Sequence, residues 1–153
     1  MKNLILSVLI LFSLQAIAQE IEVPKKTNQI LVFKKDSAIN VLKEYARILQ
    51  DHNFNIEKLD RDLLSVKTEP KTFKFSGVAT MKIFANTRQQ GDTTVLKITG
   101  SIEVTNPMLA GPVPFESCNC GIMGNAQLNS FKEILATLAD IKADRVVYLR
   151  VKN

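Results

Sequence analysis

The chain has 153 residues, 46% of them hydrophobic and 23% charged, with 20 basic against 15 acidic side chains, two Cys, one His and no Trp. That length supports one domain with a single core. The apolar content and mixed charges exclude a disordered, collagenous or mucin-like chain.

The N-terminal segment carries Lys2, an apolar run from Leu4 to Leu14, then Ala16-Ile17-Ala18 before Gln19. A charged start, a short apolar run and small residues at the −3 and −1 positions predict a signal peptide over residues 1–18. The run is too short for the ~20 residues that cross a bilayer. No Cys lies near the cleavage point, so no lipoprotein anchor is expected. The expected address is a periplasm or the outside of the cell. Cleavage removes Lys2 and no acid, lowering the formal charge from +5 by one unit. The remaining cations are scattered pairs such as Lys25-Lys26 and Lys34-Lys35, without the aromatic interleaving that stacks bases, so no nucleic-acid partner is expected. They read as a solvated surface, with weak attraction to anionic lipid or envelope polymer as the sharper alternative.

Residues 19–28 are expected to form a flexible leader, and residues 29–153 a single domain. Gln29 to Phe33 is short, apolar and β-branched, which predicts a strand with both faces at least partly covered. Asp36 or Ser37 caps a helix reaching Gln50, with Ala38, Val41, Leu42, Tyr45, Ala46, Ile48 and Leu49 on one stripe. Short strands follow at Phe54–Leu59 and Leu63–Thr68, the second closed by Glu69-Pro70-Lys71. A long strand is then expected over 73–85, where Phe73, Phe75, Gly77, Ala79, Met81, Ile83 and Ala85 alternate with polar residues. Val78 and Phe84 intrude on its polar face. Leu96, Ile98, Gly100, Ile102 and Val104 alternate in the same way, so the two predict a hairpin. A tight loop at Gln90-Gly91 places Ile83 opposite Ile98, Met81 opposite Gly100 and Val104 opposite Gly77, the glycines leaving room for a packed helix, a bulge or a bend. A second helix runs from Ala126 or Ser130 to Ile141, with Leu128, Phe131, Leu135, Leu138 and Ala139 on one face and a capping-box spacing at Ser130–Glu133. Arg145 to Val151 is a last strand, at an edge.

Consecutive strands with two one-sided helices predict an α+β fold, an antiparallel sheet of five to six strands with both helices on one face. This layout resembles small secreted proteins of uncharacterised function from Bacteroidetes-type bacteria. It is also similar to helix-grip, or TBP-like, domains such as that of the envelope-assembly lipoprotein BamC, although the lipobox Cys is missing. The resemblance implies the architecture and carries over no functional residue.

Residues 105–125 fit no regular element. They hold three Pro, three Gly and both Cys beside Met108, Leu109, Val113, Phe115, Ile122 and Met123. Such a loop is either a structural flap over the core or a ligand- or partner-binding lid. Cys118 and Cys120 read as a disulfide pinning it, with free thiols or a redox or metal role as alternatives. Two Cys and one distant His52 do not make a zinc site, and no metal or other cofactor is expected. His52 reads as a capping or surface residue, and Asp60-Arg61-Asp62 as a charge-balanced turn. Phosphate loops and hydrolase motifs are absent. The expected function is a non-enzymatic interaction module for an envelope protein, a peptide or an apolar small molecule, with the loop as its contact. The alternative is a thiol redox or metal-binding protein using Cys118 and Cys120.

Overall fold

Ten elements follow one another in a computed structural model that describes residues 23–74, 78–104, 112–117 and 124–151. They are β1 (Gln29–Lys34), α1 (Ala38–Asp51), β2 (Ile56–Asp60), β3 (Ser65–Thr68), β4 (Lys71–Lys74), β5 (Val78–Gln90), β6 (Thr93–Val104), β7 (Val113–Pro114), α2 (Gly124–Asp140) and β8 (Arg145–Leu149). The strands form one antiparallel sheet in the order β2-β3-β5-β6-β1-β8, with β4 beside β5 and β7 beside β6. Both helices share one core with the sheet. The expected α+β class holds, and β8 is the expected edge strand.

Helix α1 is fixed at both ends by local chemistry. The Ser37 hydroxyl accepts from the Asn40 amide at 3.4 Å as the N-cap, satisfying one orphan N–H. At the other end Asn53 takes a left-handed φ of 60°. The Asn53 amide donates to the Gln50 carbonyl and the Phe54 amide to the Leu49 carbonyl, at 2.9 and 2.8 Å. This is a Schellman closure, and it turns Phe54 back onto the core beside Leu49. All seven residues of the expected stripe are buried.

Helix α2 departs from its reading. It begins at Gly124, so Ser130 is not a cap; its hydroxyl donates to the Ala126 carbonyl one turn earlier, at 2.7 Å. The buried face holds Gln127, Ser130 and Thr137 with Phe131, Ile134 and Leu138, while Ala139 is exposed and Leu128 and Leu135 are half-buried. The hydroxyls reach that face because the helix backbone satisfies them. Thr137 donates to the Ile134 carbonyl at 2.7 Å. The hydroxyls of Thr137 and the fully buried Tyr45 share a further hydrogen bond at 3.4 Å.

The hairpin register also differs. Gly91 and Asp92 form the loop, so Ile83 faces Gly100 and Ile98 faces Ala85. Steric reasons select this centre. A two-residue hairpin needs a positive φ at its first loop position, and Gly91 supplies it at 63° where Gln90 would be strained. Moving the centre by one residue moves each pair by two, so the apolar face is preserved.

The alternation expected as one strand over 73–85 is two strands. β4 pairs back onto β5, with Phe73 opposite Ala79. Both are odd-numbered, so a period of two runs through the reversal unchanged. β3 and β4 lie end to end along β5, taking four steps from Lys67 to Lys71 against three from Phe84 to Met81. The extra residue is a bulge at Glu69-Pro70. Across it the Thr68 hydroxyl accepts from the Ile83 amide at 3.0 Å, replacing a ladder bond.

Candidate functional site

The described part of the Pro- and Gly-rich loop is built into the core. β7 pairs with β6, Val113 opposite Ile102, and delivers Phe115 to a position with no solvent exposure. Its ring lies 5.6 Å from that of Phe131. Gly100 leaves the space it fills: a Cβ there meets Phe115 Cδ1 at 2.7 Å and the Lys82 carbonyl at 2.8 Å. The glycine therefore admits a loop phenylalanine, not a helix. Ser117 ties the loop to the segment expected as a leader. Its amide donates to the Thr27 carbonyl at 3.0 Å and its hydroxyl to the Pro24 carbonyl at 2.6 Å, while the Thr27 amide donates back to that hydroxyl at 2.9 Å. Met108, Leu109, Cys118, Cys120, Ile122 and Met123 lie outside the described residues, as do residues 1–22 and Gly77.

The remaining sequence candidates are structural. His52 caps α1, and its Nε2 meets Asp140 at 2.6 Å, joining the ends of the two helices. Asp60 accepts from the Leu63 and Asp62 amides at 2.9 and 3.1 Å. The Leu63 amide first, then Lys58, holds its carboxyl below the usual range. This is a turn. Among the described residues no three His, Cys, Asp or Glu side chains gather as metal ligands.

The feature that packing leaves over is the second face of the sheet. Strand alternation sends Ile30, Val32, Met81, Ile83, Leu96 and Ile98 inward beneath the helices and their neighbours outward. Pairing sets these neighbours in rows. One row runs Arg88, Val95, Phe33, Arg145, and the next Asn86, Lys97, Leu31, Val147. Phe84 stands beside them between Lys67 and Thr99. Leu31, Phe33, Val95 and Val147 are half-buried, Arg88, Lys97 and Arg145 are exposed, and Phe84 is 47% exposed. The expectation that both faces of β1 are at least partly covered holds: Ile30 and Val32 are buried and its odd positions half-buried. Among the described residues neighbouring side chains shade the odd positions, such as Arg145, whose guanidinium stacks on Phe33 at 4.1 Å from the ring centre.

A depression of about 430 Å³ opens on this face between Leu31, Leu63, Val95, Asn86, Arg88 and Lys97. Leu63 is 73% exposed beside it. The Leu64 carbonyl, accepting from the Thr87 amide at 2.9 Å, anchors the turn that presents Leu63 to β5, with Leu64 itself at φ 49°. Among the described residues Lys82, Arg88 and Lys97 have no ion-pair partner, and neither does the exposed Glu103 opposite Thr80; Glu57 meets Lys67 at 2.6 Å and Asp60 meets Lys58 at 2.9 Å. The Lys67 hydrogen bond first, with Lys82 adding its field, keeps the Glu57 carboxyl below its usual range. A larger depression, about 500 Å³, lies along α1, but Asp36, Glu44 and Asp140 there balance Lys43 and Arg47. Its charge is mixed, so it selects no ligand sign.

The sequence marks this face through Phe84, one of the two residues out of place in the alternation. Its cations come from three strands, and cross-strand pairing sets them on one face. Comparison with known family models and with curated proteins finds no match for the chain.

Proposed function

We propose that the chain is an exported, non-enzymatic interaction module that engages its partner through the open face of the sheet. The observation that carries this is a surface that the described residues leave open, where Phe84 and Leu63 stand exposed among Lys82, Arg88 and Lys97, which have no ion-pair partner among those residues. Exposed apolar groups among cations that outnumber the acids on that face favour a partner with negative charge beside apolar matter. The N-terminal pattern at Lys2 to Ala18 supports export to a periplasm or beyond. Phe115, one of the loop residues expected to make the contact, is committed to the core.

Acylation of surface lysines, read by mass spectrometry with and without bacterial envelope extract, tests the reading. Lys82 and Lys97 are expected to be shielded, and Lys43 and Lys132, on the helices, to react as before. Shielding confined to the helices, or none anywhere, overturns it.

A further inference from the structure

Resting on that reading of the open face, we infer that its partner is an anionic lipid surface. The cations there are spread out and do not converge. From Lys82 to Arg88 is six residues along β5, about 20 Å, and the sheet from β2 to β8 spans five strand spacings, about 24 Å. Lys97 and Arg145 lie between and beyond them on β6 and β8. A small anion requires donors aimed at one point. An acidic peptide strand uses one row. Charge dispersed over an area of this size matches an array of singly charged headgroups, each meeting one side chain.

The apolar residues on the same face fit the same partner. Phe84 and Leu63 are exposed beside the cations, where they enter the headgroup region as Lys and Arg meet the phosphates. The helical side of the molecule mixes Lys43, Arg47 and Lys132 with Asp51, Glu133 and Asp140. Attraction to a negative surface therefore turns the sheet toward it.

The test is co-sedimentation of the purified protein with vesicles of phosphatidylcholine alone and of phosphatidylglycerol and phosphatidylcholine at roughly 3:7. Binding is expected to the anionic vesicles only, and to be lost near ~1 M salt, where screening acts within about 3 Å. The double variant Arg88→Gln, Lys97→Gln is expected to bind about 30-fold more weakly, from roughly fivefold per cation near such a surface. Lys43→Gln with Arg47→Gln removes the same charge from α1 and is expected to change binding less than about twofold. Circular dichroism and thermal melting establish that each variant is folded. Binding unchanged in Arg88→Gln, Lys97→Gln overturns the inference. So does tighter binding to a single-stranded oligonucleotide or a soluble acidic peptide than to the vesicles. No anionic-vesicle binding, with Lys82 and Lys97 still shielded by lipid-free envelope protein, overturns the lipid partner and leaves the open face standing as the binding surface. No vesicle binding and no shielding overturns both.

Discussion

The two faces of the sheet are made by the same strands, yet they obey different constraints. On the inner face each side chain answers to a neighbour in space: Gly100 is small because Phe115 lies over it, and Thr68 accepts a bond that the bulge leaves open. On the outer face Arg88, Lys97 and Phe84 answer to nothing within the described residues beyond shading and local charge. A residue that packing does not require is free to serve recognition, which is why the outer face is the candidate site.

The contrast is broken most severely from the inside. Phe115→Ala is expected to cost about 3–5 kcal/mol in urea or thermal unfolding, as for other fully buried aromatics. A cost under about 1 kcal/mol would mean that the loop is not part of the core. Gly100→Ala is expected to cost about 2–3 kcal/mol, since its Cβ meets a ring and a backbone carbonyl. The two costs should be less than additive in the double variant, because removing the ring relieves one clash and leaves the other.

A smaller effect sits at the end of α1. Asn53→Ala is expected to lose about 1 kcal/mol and Asn53→Gly to lose nothing or gain slightly, because φ is 60° there. Equal losses in both would point to the Asn side chain instead of the backbone.

Tyr45→Phe removes only a 3.4 Å hydrogen bond, so its cost near neutral pH is expected below about 1 kcal/mol. Its signature is in alkali. Burial raises the Tyr45 pKa, opposed weakly by Thr137. Ionisation is then easier in the unfolded chain than in the folded one, so this contribution is intact below about pH 10 and falls as pH rises above it. The variant should show a shallower loss of stability there than the parent, with Tyr148, half-buried and raised the same way, supplying part of what remains. Identical alkaline slopes would sink the assignment.

The smallest expected effect sharpens the contrast from outside. Phe84→Ser should change stability by less than about 0.5 kcal/mol, since nearly half of the ring is in solvent, while vesicle binding weakens several-fold. Stability and binding should therefore respond on opposite faces. A large loss of stability in Phe84→Ser would make this ring a core residue and remove it from the site.

Legibility followed locality. Every buried residue of α1 can be named from the helical period, and Ser37 and Asn53 mark its ends, because capping and one-sided burial are set within a few residues. The face of α2 was misread because Gln127, Ser130 and Thr137 look polar in isolation, and only backbone hydrogen bonds explain the burial of the two hydroxyls. The reversal between β4 and β5 was hidden because equal parity on both sides lets one alternation run through it. The candidate site was least legible: Lys97 and Arg145 come to share a face with Lys82 and Arg88 only through strand order and register.

By itself the sequence determined the fold class, helix α1 with its caps, the inward stripe of β5 and β6, and the edge position of β8. These depend on periodicity and local sterics, which act over a few residues. The tertiary structure alone decided the hairpin register, the buried role of Phe115 beneath the loop, the face of α2 and the gathering of cations around Phe84. Each of these is a contact between residues distant in the chain, and a period of two or 3.6 records which side a residue faces without recording what it meets.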